Sequence, residues 1–332
     1  MKYCFILFFL FPIIVNSQTK TPKDFGFRHL EIDYKGDRVD ILVKSNEGEE
    51  NVPKPILFFI QGSGSQPLIR TDGEGLIRTF PFSTKSFTDK YHLVIVGKPN
   101  IPIIMDKKDL GKDFNLVDSN NNPPQKYLSR NYLSYYVDRN IKIIDFLQKQ
   151  KWVKKNELVV MGHSEGSSIS VKMTKLCPKI THLVYLSGNP FGRIMNIIGK
   201  SRNDETDSLR YSENDFKLWD ETINDLNYTK NYEEMTPDDK RTLFEFSEKP
   251  IEYFSKIKVP VFIGFGTKDW NTPFIDYMRI KMIEEHKTNF NFKPYFGTEH
   301  NFFPVKSNGE TDFSIYNWDK VGYDIRTWLD TN

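Results

Sequence analysis

Gly162-His163-Ser164-Glu165-Gly166 is a G-x-S-x-G pentapeptide. Short patterns of common residues recur by chance, but the setting of this one is specific. It follows the apolar run Glu157 to Met161 (ELVVM) directly and opens a helical stretch, Ser164 to Leu176, that Cys177-Pro178 stops. A sharp strand-to-helix turn strains the serine backbone, and small residues on either side avoid collision there. It aims Oγ from the head of a helix, whose dipole favours developing negative charge. The chemistry this implies is nucleophilic attack by a serine hydroxyl.

A serine hydroxyl is a weak nucleophile without a base. Of the six histidines, His29, His92 and His182 fall inside predicted strands, His163 packs beside the serine's own strand, and His286 lies in a charged helical stretch. His300 alone occupies a loop after the last apolar strand, in Phe296-Gly297-Thr298-Glu299-His300-Asn301-Phe302. The base needs a carboxylate to fix its tautomer. Gly264 to Asp269 (GFGTKD) ends a strand in a glycine-containing turn and brings Asp269 to the same edge; the rival Asp276 belongs to the next helix and points away. An oxyanion needs backbone donors: the amide of Glu165, and one from the loop Gln61-Gly62-Ser63-Gly64-Ser65, whose glycines let the main chain approach a substrate. That loop lacks the Lys-Ser/Thr ending of a phosphate-binding turn.

These residues require elements to hold them. Phe27 to Tyr34 and Arg38 to Lys44 read as an antiparallel opening pair. Pro55 to Ile60, Tyr91 to Gly97, Glu157 to Met161, Ile180 to Leu186, Val259 to Phe265 and Asn289 to Phe296 read as core strands, several of them continuous apolar runs of the kind buried on both faces. Helical spacing appears in Leu133, Val137, Ile141, Ile144 and Leu147, and in Trp318, Val321, Ile325 and Trp328. The alternation predicts an α/β fold, a mostly parallel sheet with helices on both faces. Two segments interrupt it. Asn100 to Ser129 is a long polar loop leaving a core strand. Phe191 to Tyr253 is an insertion read as a helical cap, with Ser212 as a helix N-cap before Phe216, Trp219, Ile223 and Leu226, and a second start at Thr236-Pro237-Asp238-Asp239. Trp219 is expected to line the cleft over Ser164.

The chain has 332 residues, with 46 basic against 44 acidic ones, and no Lys/Arg block, so nothing favours nucleic acid as a partner. Residues 1–17 carry a lysine, an apolar run from Tyr3 to Val15 and a small-polar ending, the pattern of a secretory signal cut near Ser17/Gln18; an uncleaved anchor is the alternative. No later apolar run reaches spanning length, so the mature protein is expected to be soluble, secreted or periplasmic. It would retain only Cys177, which excludes an intramolecular disulfide. No metal cluster, nucleotide fingerprint or cofactor lysine is present, and no cofactor is expected.

The strand, QGSGS loop, GHSEG pentapeptide, GTKD turn and GTEH loop, in this order, resemble the α/β-hydrolase superfamily over nearly the whole mature chain. The likeness is greatest to secreted bacterial members with a GHSEG elbow, which include esterases and serine aminopeptidase-like enzymes. The resemblance implies acyl transfer to water through an acyl-enzyme, with Ser164 as nucleophile, Asp269 as orienter, His300 as base, and the Ser63 and Glu165 amides on the oxyanion. Two positions depart from the pattern: Gln61 replaces a frequent histidine, and Ser167 a frequent glycine. The expected substrate is a carboxylic ester or an amide. Glu165 would either attract a cationic amino terminus or bond to backbone or to an arginine such as Arg130. A hydrolase-fold binding protein without activity is the alternative from another class.

Overall fold

The computed structural model describes residues 20–73, 75–206, 208–229 and 240–332, with the side chains of 226–229 excepted. The sequence-predicted signal segment and the helix start at Thr236 to Asp239 lie outside the described residues. The strands are β1 (Arg28–Tyr34), β2 (Asp37–Lys44), β3 (Lys54–Ile60), β4 (Ile69–Thr71), β5 (Leu76–Ile77), β6 (His92–Val96), β7 (Ile104–Asp106), β8 (Val153–His163), β9 (His182–Leu186), β10 (Val261–Gly266) and β11 (Phe290–Tyr295). The helices are α1 (Gln125–Leu128), α2 (Leu133–Leu147), α3 (Glu165–Leu176), α4 (Arg193–Asp204), α5 (Ser212–Thr229), α6 (Thr242–Phe246), α7 (Ile251–Phe254), α8 (Thr272–Glu284) and α9 (Trp318–Leu329).

One eight-stranded sheet runs β1-β2-β6-β3-β8-β9-β10-β11, antiparallel at β1-β2 and β2-β6 and parallel from β6 onward. Strand period two sorts its residues to two faces. Leu57 and Phe59 of β3 pack with Trp318, Val321 and Ile325 of α9 on one side. Ile56, Phe58 and Ile60 pack with Val137 and Ile144 of α2 and Ile169 of α3 on the other. Each such buried side chain contributes about 1.5–3 kcal/mol, so both faces must be covered. Beyond β8, Leu183, Tyr185, Val261 and Ile263 meet α7 and α8.

The order reverses at β3, with β6 on one flank and β8 on the other. Open α/β sheets place their ligand crevice at such a switch, beyond the carboxyl ends of the strands. Here those ends deliver the Gln61 to Ser65 loop and Ser164 side by side.

Asn100 to Ser129 proves more ordered than a loop. Its β7 pairs with β4, and β4 with β5, in a separate three-stranded sheet. Hydrogen bonds from Ser65 Oγ to the Leu116 carbonyl (2.7 Å) and from the Leu116 amide to the Ser65 carbonyl (3.0 Å) tie the segment to the loop after β3. Between β9 and β10 the described residues of the insertion build α4 to α7. Ser212, expected as a cap, is the first residue of α5. Among the described residues no helix is long and apolar enough to cross a membrane.

Candidate active site

Ser164 sits at the turn from β8 to α3 with φ 54° and ψ −120°, a conformation costly for any residue with a side chain. The turn is held from β9: the Ser164 amide donates to the Leu186 carbonyl (2.9 Å). Ser167, where the resemblance expects glycine, is fully buried. Its hydroxyl accepts from the Leu186 amide and lies 2.7 Å from the Leu186 carbonyl and 2.9 Å from that of Gly162. It therefore pins three elements together. Gly166 has no room for a side chain: a Cβ there would stand 2.1 Å from the Ile60 carbonyl oxygen. One at Gly162 would stand 2.1 Å from the Gly166 oxygen. The start of α3 thus presses against the end of β3.

The loop after β11 brings His300 Nε2 to 3.0 Å from Ser164 Oγ. Its Nδ1 lies 2.8 Å from Oδ2 of Asp269, at the end of β10. The carboxylate accepts a hydrogen bond from Nδ1–H, which leaves Nε2 as acceptor for the serine hydroxyl. Asp269 is fully buried and also accepts from the Asn271 amide (3.0 Å). Trp270 stacks on the His300 ring, with centroids 4.8 Å apart, and donates from Nε1 to Asn196 Oδ1 of α4 (2.9 Å). His163 donates from Nε2 to the His300 carbonyl (3.2 Å). Burial, with a smaller contribution from His300, pushes its imidazole down to about 3, so it is a neutral strut. Asp276 is exposed on α8, and it is Asp269 that bonds His300.

A cavity of about 310 Å³ opens beside Ser164, bordered by Ser63, Glu165, Arg193, Asn196 and Phe246 among others. A Cβ on Gly62 would lie 3.5 Å from Ser164 Cβ, so the Ser63 loop passes directly over Ser164. A larger hollow of about 900 Å³ lies between Thr21 to Phe27 and β2; none of its bordering residues belongs to the Ser164 site. Trp219 does not border the Ser164 cavity. It stacks on Phe244 and packs against Ile194, Ile198 and Leu243, so the expected cleft residue is part of the insertion's own core. Phe216, from the same stripe, is exposed.

Glu165 is neither free nor bonded to Arg130, which pairs with Asp37 at 2.6 Å. Lys98, just after β6, reaches Glu165 Oε1 at 3.0 Å, and Arg193 bonds Oε2. Burial alone would raise the Glu165 carboxyl; the two cations hold it below its ordinary value. Neither cation was legible as a partner, because both come from distant segments. As for metals, His29, Glu31 and Asp40 converge within 4.8 Å on β1 and β2, where Arg38 already bonds both carboxylates. They lie outside the Ser164 site.

Residues 136–301 match the family described as BAAT / acyl-CoA thioester hydrolase C terminal, half of the chain. The chain belongs to that family. The matched span runs from within α2 to Asn301 and includes Ser164, Asp269 and His300. The esterase Est1E from Butyrivibrio proteoclasticus is similar in structure, with TM-score 0.51 and 12% identity, covering 91% of this chain and 98% of its own. So is an acylaminoacyl peptidase from Pyrococcus horikoshii, with TM-score 0.54 and 12% identity over 92% of this chain and 41% of the peptidase. Porphyromonas gingivalis dipeptidyl peptidase 4 aligns with TM-score 0.53 and 11% identity, over 92% of this chain and 35% of the peptidase. The chain thus spans well under half the length of either peptidase. No curated protein matches by sequence. At these identities the likeness is one of fold, and the fold is that of the α/β-hydrolases.

Proposed function

We propose that this protein is a serine hydrolase that cleaves a carboxylic ester or thioester through an acyl-enzyme. The observation that carries the reading is the hydrogen-bonded chain from Ser164 Oγ through His300 to Asp269, at 3.0 and 2.8 Å. In it, His300 removes the Ser164 proton as Oγ attacks the acyl carbonyl, and Asp269 stabilises the imidazolium. The Ser63 and Glu165 amides receive the developing oxyanion. The leaving group departs with the proton from His300, and water, activated by the same base, releases the acid. Thioesters join esters as candidates because of the family to which the chain belongs.

An aminopeptidase reading would have Glu165 hold a cationic amino terminus. Both oxygens of that carboxylate are already engaged by Lys98 and Arg193, which weighs against it. We further propose that residues 1–17 direct secretion; sequencing of the exported protein should find Gln18 at its start.

A fluorophosphonate probe should label the wild type at Ser164 and leave Ser164→Ala unlabelled. Turnover of 4-nitrophenyl esters, acyl thioesters and aminoacyl anilides by the same preparation would then order the three bond types. Failure of the wild type to label or to turn over any of them would favour a binding protein on a hydrolase scaffold.

A further inference from the structure

The charges buried beside Ser164 do not balance. Lys98 and Arg193 both pair with Glu165. Arg139 joins the group through Tyr136, whose ring lies 5.1 Å from the Lys98 ammonium and 5.1 Å from the Arg139 guanidinium. Arg139 is 3% exposed and bonds only neutral acceptors, the Gly97 carbonyl and Asn140 Oδ1, among the described residues. Lys98 and Arg193 therefore share one carboxylate, and the carboxylate that acts on Arg139, Asp37, is already paired with Arg130. Asp269, the other buried carboxylate at the site, is bonded to His300 and the Asn271 amide. Buried charge without a partner is unfavourable.

The excess faces the cavity through Arg193. One end of its guanidinium is fixed on Glu165, and the group lies over the Phe246 ring at 4.3 Å. Its Nε and Nη1 donors meet no acceptor among the described residues, and its side chain keeps 22% of its exposure. Ser187 borders the same cavity with a buried hydroxyl that has no partner among the described residues. Asn196 borders it too; its Oδ1 is taken by Trp270, and its amide N–H₂ meets no acceptor among the described residues. Donors around a net positive charge, with the Glu165 oxygens already occupied, match a carboxylate.

We propose that this cavity is a carboxylate-binding subsite, and that the substrate carries a free carboxylate near its scissile acyl bond. This rests on Ser164 being the nucleophile. A long alkyl chain would leave these donors unsatisfied, whereas a carboxylate engages the guanidinium edge and the Ser187 hydroxyl together.

Two substrate pairs test it on the full chain. The 4-nitrophenyl half-ester of adipic acid and 4-nitrophenyl hexanoate differ by a carboxylate on the acyl side. The 4-carboxyphenyl and phenyl esters of hexanoic acid differ by one on the leaving-group side. In one pair the charged substrate should be favoured in kcat/KM by about 10–100-fold. That ratio should collapse toward one in Arg193→Gln and fall severalfold in Ser187→Ala, which keeps both ion pairs and stands in if the first variant does not fold. Turnover of the neutral esters with no preference in either pair overturns the subsite and leaves the hydrolase reading intact. If the wild type neither turns over any ester nor takes the fluorophosphonate label, the hydrolase reading fails, and calorimetric titration with adipate decides the subsite alone. Saturable binding weakened in Ser187→Ala would uphold it, and no binding would overturn it.

Discussion

A positive φ at Ser164 costs about 1–3 kcal/mol, offset by contacts from Leu186 and the buried Ser167 hydroxyl. Ser167→Ala removes the hydroxyl that ties α3 to Gly162 and Leu186 and should lower stability by about 1–3 kcal/mol, with a loss of turnover beyond what unfolding explains. Denaturant melts beside initial rates would check both. For the proposed chemistry, His300→Ala and Asp269→Asn should each reduce kcat by several powers of ten, on the order of 10⁴ for the asparagine. Retention of near-normal single-turnover rates in His300→Ala would assign the base elsewhere. Glu165→Gln leaves Lys98 and Arg193 without their carboxylate, and breaking a buried pair costs about 3–5 kcal/mol. Because the fold holds Glu165 below its ordinary pKa of 4.5, its contribution is complete above that pH and lost as pH falls through the folded value. The stability gap between wild type and Glu165→Gln should therefore narrow in acid; a gap constant from pH 7 to pH 3 would contradict the assignment.

Elements differ in how plainly they write themselves into sequence. Strands buried on both faces are continuous apolar runs, so PILFFI, YHLVIVG and ITHLVYL fall within two residues of β3, β6 and β9. β8 extends back to Val153, through the polar Lys154 to Asn156, where no apolar pattern marks it. The three-residue β4 and β7 are too short to show a period. Ser164, Asp269 and His300 were legible because each ends or follows a core strand at the same edge. The partners of Glu165 were not, since pairing between distant segments leaves no local trace. Trp219 shows the complementary limit: an apolar stripe states that a face is buried, not against what. Trp219→Ala should cost less than the ~3–5 kcal/mol of a fully buried tryptophan and leave the acyl-chain profile unchanged. Asn196→Ala, by contrast, frees Trp270 from α4 and loosens the ring stacked on His300. A kcat lowered by roughly 2–10-fold, with Ser164 still labelled, is the expected result.

At the scale of the molecule, the site straddles the switch in strand order and draws its parts from far apart in the chain. Ser164 and His300 are 136 residues apart, and His300 and Asp269 are 31 apart. Contacts of such separation form late, after loop closure has been overcome. The turn at Ser164 also leans on β9, and His300 arrives only with the loop beyond β11. If Ser164 acts as proposed, an emerging chain that has displayed it is still chemically mute. On the proposed chemistry, reactivity would switch on only when the segment around His300 has left the ribosome and docked. A chain ended before His300 should form no probe adduct even where its remaining strands are soluble. Adding residues 255–332 as a separate fragment should restore labelling in proportion to its binding.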